Sequence, residues 1–127
     1  MTDRALIEMA ADAMANSHSP YSRSKTGAAV ECSDGSVFMG SNIENAALSA
    51  SMCAEAAAIA SAVSAGKRVF KRIAIISESN SYCYPCGSCR QLLSEFSPDV
   101  EVLCVRADGR YVSYPLSTLL PFPPGKE

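Results

Sequence analysis

The chain has 127 residues, 48% of them hydrophobic, with a formal net charge of −2 and a pI near 5.4. That is enough apolar content for one domain with its own core and no second one. The acidic balance argues against a nucleic-acid binder, which needs a basic surface against phosphates, and points to a small-molecule partner. No apolar run reaches membrane-spanning length, and the first residues carry acidic side chains where a secretory leader would be basic. A cytoplasmic protein without a membrane partner is expected, and its six cysteines should stay reduced, which makes metal binding a better account of them than disulfides.

In chain order, Thr2 or Asp3 can cap a helix to about Ala15, with Leu6, Met9, Ala10, Ala13 and Met14 on one face. A loop through His18, Pro20 and Tyr21 follows, with a solvent-facing His18 expected. Thr26 to Cys32 reads as a strand, Ser33-Asp34-Gly35 as a turn, and Ser36 to about Ile43 as a returning strand. Beyond a polar loop from Asn45 to Ser51 lies a helix from roughly Cys53 to Ala65, ended by Gly66. It has almost no charged face, so burial on most sides is expected.

A strand from about Val69 to Ser77 comes next, entered through Lys67, Arg68, Lys71 and Arg72, which read as solvated. Pro85 precedes a helix from about Cys86 to Phe96. Val100 to Arg106 and Tyr111 to Tyr114 are strands joined by a turn too short for a crossover, hence antiparallel. Pro115 to Leu120 makes a final helical turn, and a Pro-rich tail from Pro121 to Glu127 has no helix of its own. This order predicts an α/β chain built on a five-stranded mixed sheet covered by helices.

Three thiols and one carboxylate stand out. Cys53 lies two residues before Glu55, and Cys86 and Cys89 form a Cys-x-x-Cys pair at the next helix start. Two helix N-termini can bring the three sulfurs together at one end of the sheet. Three protein ligands on Zn²⁺ leave a fourth position for water, the pattern of a catalytic site, and a non-ligand glutamate beside that water suits general acid/base work. Helix dipoles, and Arg90 donating to the sulfurs, would offset the thiolate charge. Cys83 is a competing ligand candidate, with Cys86 and Cys89 the better pair. Cys32 and Cys104 read as buried strand thiols. A closed structural zinc module and a thiol-disulfide role for Cys86 and Cys89 are the rival classes.

Pro20-Tyr21-Ser22, Gly27-Ala28-Ala29, Asn42-Ile43-Glu44-Asn45-Ala46-Ala47, Cys53-Ala54-Glu55, Pro85-Cys86-Gly87-x-Cys89-Arg90-Gln91 and Leu119-Leu120-Pro121 together resemble the small homotetrameric cytidine deaminases. The resemblance implies a three-layer α/β/α fold, Zn²⁺ on Cys53, Cys86 and Cys89, and Glu55 as proton shuttle in the hydrolysis of cytidine or deoxycytidine within pyrimidine salvage. It also implies that Asn42 and Glu44 bind the ribose, that the Ala54 backbone holds the base, that Arg90 supports the ligands, and that sites lie near subunit interfaces. Ser24 stands where the family has an aromatic residue, Ala56 where it has an arginine, and Leu48 where a tyrosine is frequent. Ser24 leaves open a modified cytosine nucleoside, such as blasticidin S, as substrate.

Overall fold

In the computed structural model, which describes residues 1–125, helix α1 (Asp3–Met14) opens the chain. The Thr2 hydroxyl accepts from the Ala5 amide at 3.1 Å and fixes its start. Strand β1 (Thr26–Cys32) turns through Gly35, whose φ of +90° suits glycine, into β2 (Val37–Ser41). Then come a 3-10 turn at Leu48–Ala50, α2 (Ala54–Ser64), β3 (Phe70–Ser77), α3 (Gly87–Phe96), β4 (Glu101–Val105), β5 (Tyr111–Pro115) and a short α4 (Leu116–Leu119). Within the Pro-rich tail, Lys126 and Glu127 lie outside the described residues. Among the described residues no helix is long and apolar enough to cross a membrane.

The sheet runs β2-β1-β3-β4-β5, parallel only between β3 and β4. The two-residue period of a strand sends alternate side chains to opposite layers. From β1, β3 and β4, Ala28, Val30, Ile73, Ile75, Val102 and Cys104 pack with Ala58, Ile59 and Ala62 of α2 and Leu93 of α3. Ala29, Ala74, Ile76, Leu103 and Val105 face Leu6, Ile7 and Ala10 of α1. The three layers and the antiparallel last pair are as expected. Cys32 and Cys104 are buried in strands.

Two glycines set how closely the helices approach. A Cβ on Gly40 would stand 2.4 Å from both the Ala54 carbonyl oxygen and the Ala58 nitrogen of α2, and one on Gly27 would stand 2.1 Å from the Ala10 carbonyl oxygen of α1. The missing side chains let both helices lie directly on the hairpin.

Two expectations change. The second strand ends at Ser41 rather than Ile43, because the chain leaves the sheet there: Ile43 exchanges backbone hydrogen bonds with Met52, and Glu44 donates to the His18 carbonyl. Helix α2 is buried on most sides as expected, with Ala60, Ser61 and Ser64 left exposed. Arg72 is not solvated. Its guanidinium meets the buried Glu31 at 2.7 Å and Asp3 at 2.5 Å and donates to the Met1 carbonyl at 2.7 Å, while Asp3 also accepts from the Tyr111 hydroxyl at 3.0 Å. Tertiary partners far away in sequence decide that burial.

Candidate active site

Cys53 and Cys86 each occupy the N-cap of a helix, with extended backbone (φ −72°, ψ 153° and φ −65°, ψ 161°) and no side-chain capping bond. A cysteine is a poor cap, so the first amides of α2 and α3 lack the usual side-chain acceptor and face the cluster with the positive ends of both helices. Cys89 follows in the first turn of α3, on the buried side. Glu55 sits in the first turn of α2, 4% exposed.

The Sγ atoms of Cys53 and Cys86 are 3.4 Å apart and those of Cys86 and Cys89 are 3.1 Å apart. The three sulfurs and a Glu55 carboxylate oxygen all lie within 4.8 Å of one another. The two sulfur–sulfur distances are about 0.4 and 0.7 Å inside the roughly 3.8 Å edge of a tetrahedron with bonds of about 2.3 Å, and three sulfurs this close together are a donor set suited to Zn²⁺. Cys83 is not in the group. Burial pushes the Cys53 thiol up to about 11, and burial and the nearby Glu55 raise Cys89 as well. At Cys86 burial is outweighed by hydrogen bonds from Ser88 and Cys89, and the net shift is downward. Burial also raises Glu55, only partly countered by the backbone amides of Glu55 and Cys86.

Arg90 does something other than expected. Its Nε donates to the Pro85 carbonyl and its Nη1 to the Leu119 carbonyl, each at 2.8 Å, rather than to the sulfurs. It ties the turn carrying Cys86 to the end of α4.

The cluster opens onto a cleft of about 320 Å³ lined also by Thr26, Asn42, Ile43, Glu44, Met52, Ala54, Cys83 and Tyr84. Asn42 Oδ1 accepts from the Thr26 amide at 2.9 Å and from the Ser17 hydroxyl, and Nδ2 donates to the Ser24 carbonyl at 3.0 Å. One N–H of the Asn42 amide is left over. Glu44 Oε1 accepts from the Tyr21 and Ser22 amides, both at 3.0 Å, and Oε2 from the Ser22 hydroxyl, which holds this carboxyl below its usual range. A lone pair of Oε2 stays open. The pair thus offers one donor and one acceptor, the complement of a sugar hydroxyl. Ser24 is exposed and does not line the cleft, and Ala56 is half-buried on α2. The supporting roles of Ser17, Ser22 and Thr26, and the place of Tyr84 in the wall, had no local signal, because each depends on segments joined only by the fold.

The sequence model of the family described as "Cytidine and deoxycytidylate deaminase zinc-binding region" matches residues 1–105. The chain belongs to that family. A cytidine deaminase from Halalkalibacterium halodurans is 38% identical over 122 residues, covering 95% of this chain and 92% of that protein. The crystal structure of cytidine deaminase from Burkholderia pseudomallei superposes with a TM-score of 0.94 at 40% identity, covering 97% and 99% of the two chains. A blasticidin-S deaminase from Bacillus cereus is 34% identical over 103 residues, 75% of this chain and 73% of its own. The zinc-binding character of this deaminase family accords with the donor set at Cys53, Cys86 and Cys89.

Proposed function

We propose that the chain hydrolyses cytidine and deoxycytidine to uridine and deoxyuridine with release of ammonia. The reading is carried by Cys53, Cys86, Cys89 and Glu55 gathered within 4.8 Å at the floor of a cleft. Cys53, Cys86 and Cys89 would hold zinc, which when bound supplies the Lewis acidity that lets water lose a proton near neutral pH. Glu55 takes a proton from the attacking water and gives it to ring nitrogen N3. It then moves the proton of the new hydroxyl to the amine, which departs as ammonia and leaves a carbonyl. Burial raises the Glu55 carboxyl, which makes its ionised form the stronger proton acceptor. Asn42 and Glu44 bind the ribose through their spare donor and acceptor, the Ala54 backbone at the start of α2 holds the base, and Arg90 positions the Cys86 turn.

A modified cytosine nucleoside such as blasticidin S is the second reading, favoured by Ser24. The open lone pair of Glu44 favours an ordinary sugar. An absorbance assay on a panel of cytosine nucleosides, with and without a zinc chelator, decides. Cytidine turnover that chelation abolishes and zinc restores is expected. Turnover of blasticidin S alone would exchange the two readings, and chelator-resistant turnover would remove the metal from the account.

Further proposals are a single-domain cytoplasmic enzyme of pyrimidine salvage, assembled as a homotetramer with sites near subunit interfaces. The uncharged exposed positions Ala60, Ser61 and Ser64 on α2 support assembly, as do Tyr21 and Leu48, 62% and 84% exposed beside the cleft. The Cys86–Cys89 redox reading predicts a chain without stoichiometric metal, and a metal assay tests it.

A further inference from the structure

A cytosine ring is a flat π surface with polar edges, and a cleft built for it needs something flat against that face. Among the residues lining the cleft, Tyr84 is the only aromatic one. We propose that Tyr84 is the specificity-determining wall on which the pyrimidine ring stacks. The inference deepens the deaminase reading and rests on it.

Three observations converge on this residue. The first is position. Tyr84 lies two residues before Cys86, whereas Asn42 and Glu44 lie just past the end of β2. A nucleoside with its sugar on those two residues and its amino-bearing carbon at the sulfur cluster has its ring lying between the two segments. The second is anchoring. The Cys83 amide donates to the Val105 carbonyl at 3.3 Å, and the Pro85 carbonyl accepts from Arg90 at 2.8 Å, so the backbone on both sides of Tyr84 is tied to the body of the domain. A wall that is already placed before the ligand arrives costs little ordering on binding. The third is availability. Tyr84 is 47% exposed, with Tyr114 packed against it at a ring-centroid distance of 6.4 Å and an interplanar angle of 34°. Tyr114 packs against one side, and nearly half of the Tyr84 surface stays open to solvent. Ser24 is outside the lining and offers no ring of its own.

Stacking of this kind does not depend on the reaction having begun, so it contributes equally to the ground state and the transition state. Its loss then raises KM and leaves kcat in place. Removing a stacking ring weakens base binding by roughly ten- to a hundredfold. The test compares zinc-loaded wild type, Tyr84→Phe and Tyr84→Leu for cytidine kinetics, and titrates uridine calorimetrically to read affinity without turnover. Tyr84→Phe should stay within about twofold in both. Tyr84→Leu should raise KM and the uridine Kd together by roughly tenfold or more, with kcat, zinc content, melting temperature and elution volume close to wild type. An unchanged KM and Kd in Tyr84→Leu overturns the assignment, as does a loss confined to kcat, zinc, stability or assembly, which marks a structural residue. Failure of the deaminase reading looks different: the wild type itself would neither turn over cytidine nor bind uridine.

Discussion

Replacing Gly40 with alanine tests how the hairpin positions the site. A Cβ there would lie 2.4 Å from the Ala54 carbonyl oxygen and the Ala58 nitrogen, and 2.9 Å from the Ala57 Cβ. Ordinary contact begins near 3.4 Å, so α2 must retreat by about 1 Å, and the obstructing atoms are mostly backbone that no rotamer change can move. Overpacking of this severity costs about 1–3 kcal/mol, while the reduced freedom of the unfolded chain returns about 0.4–1 kcal/mol. A net loss of about 1–2 kcal/mol follows, a few degrees in Tm for a domain of this size. Because α2 begins at Cys53, Ala54 and Glu55, the displacement also reaches the chemistry, and misplacement by about 1 Å costs of order a hundredfold in rate. Gly27→Ala is the control. Its Cβ would strike the Ala10 carbonyl oxygen and the Met14 nitrogen, so it displaces α1, which carries no site residue. Urea unfolding with kcat per bound zinc separates the two: both variants lose stability, and only Gly40→Ala loses kcat. A Gly40→Ala protein with wild-type stability and kcat would refute the reasoning.

Arg72→Met leaves the buried Glu31 without its ion partner, and loss of one member of a buried pair typically costs about 3–5 kcal/mol; urea denaturation should show a loss approaching that size, with kcat unchanged at temperatures where the variant is folded. Ser22→Ala removes the largest influence holding the Glu44 carboxyl down. A depressed carboxylate keeps its contribution above its unfolded pKa and loses it as pH falls through the folded one, so the acid-side rise in KM for cytidine should begin at a higher pH in this variant, which a KM–pH profile reads. Arg90→Ala frees the Pro85 and Leu119 carbonyls and slackens the Cys86 turn, so a chelator should strip zinc severalfold faster than from wild type.

How much of this was legible in sequence depends on how local the cause was. The α2 and α3 starts could be read within a residue, because Cys53 and Pro85-Cys86 stand at abrupt changes of pattern. Strands β1, β3 and β4 were visible because both faces of each are buried, which makes them short apolar runs. The end of β2 was not, since Ile43 is as good a strand residue as those before it. Only its pairing with Met52, across a loop, takes it out of the sheet. Arg72 looked like one of four surface cations, and its burial depends on Glu31 from a neighbouring strand and Asp3 from α1. The same limit applies within the site. The thiols and Glu55 were found by spacing, but the partners of Asn42 and Glu44, and the presence of Tyr84 in the cleft wall, arise from loops that meet only when folded. Arg90 was assigned to the sulfurs on its adjacency to Cys89, whereas its guanidinium spans from Pro85 to Leu119.

The most direct test of the proposed chemistry is kcat for cytidine per bound zinc in the Glu55→Ala protein. The account predicts one zinc per chain, as in wild type, with kcat lower by about 10²–10⁴-fold, because the sulfurs remain while the proton carrier is gone. Turnover within tenfold of wild type at full zinc occupancy would contradict it.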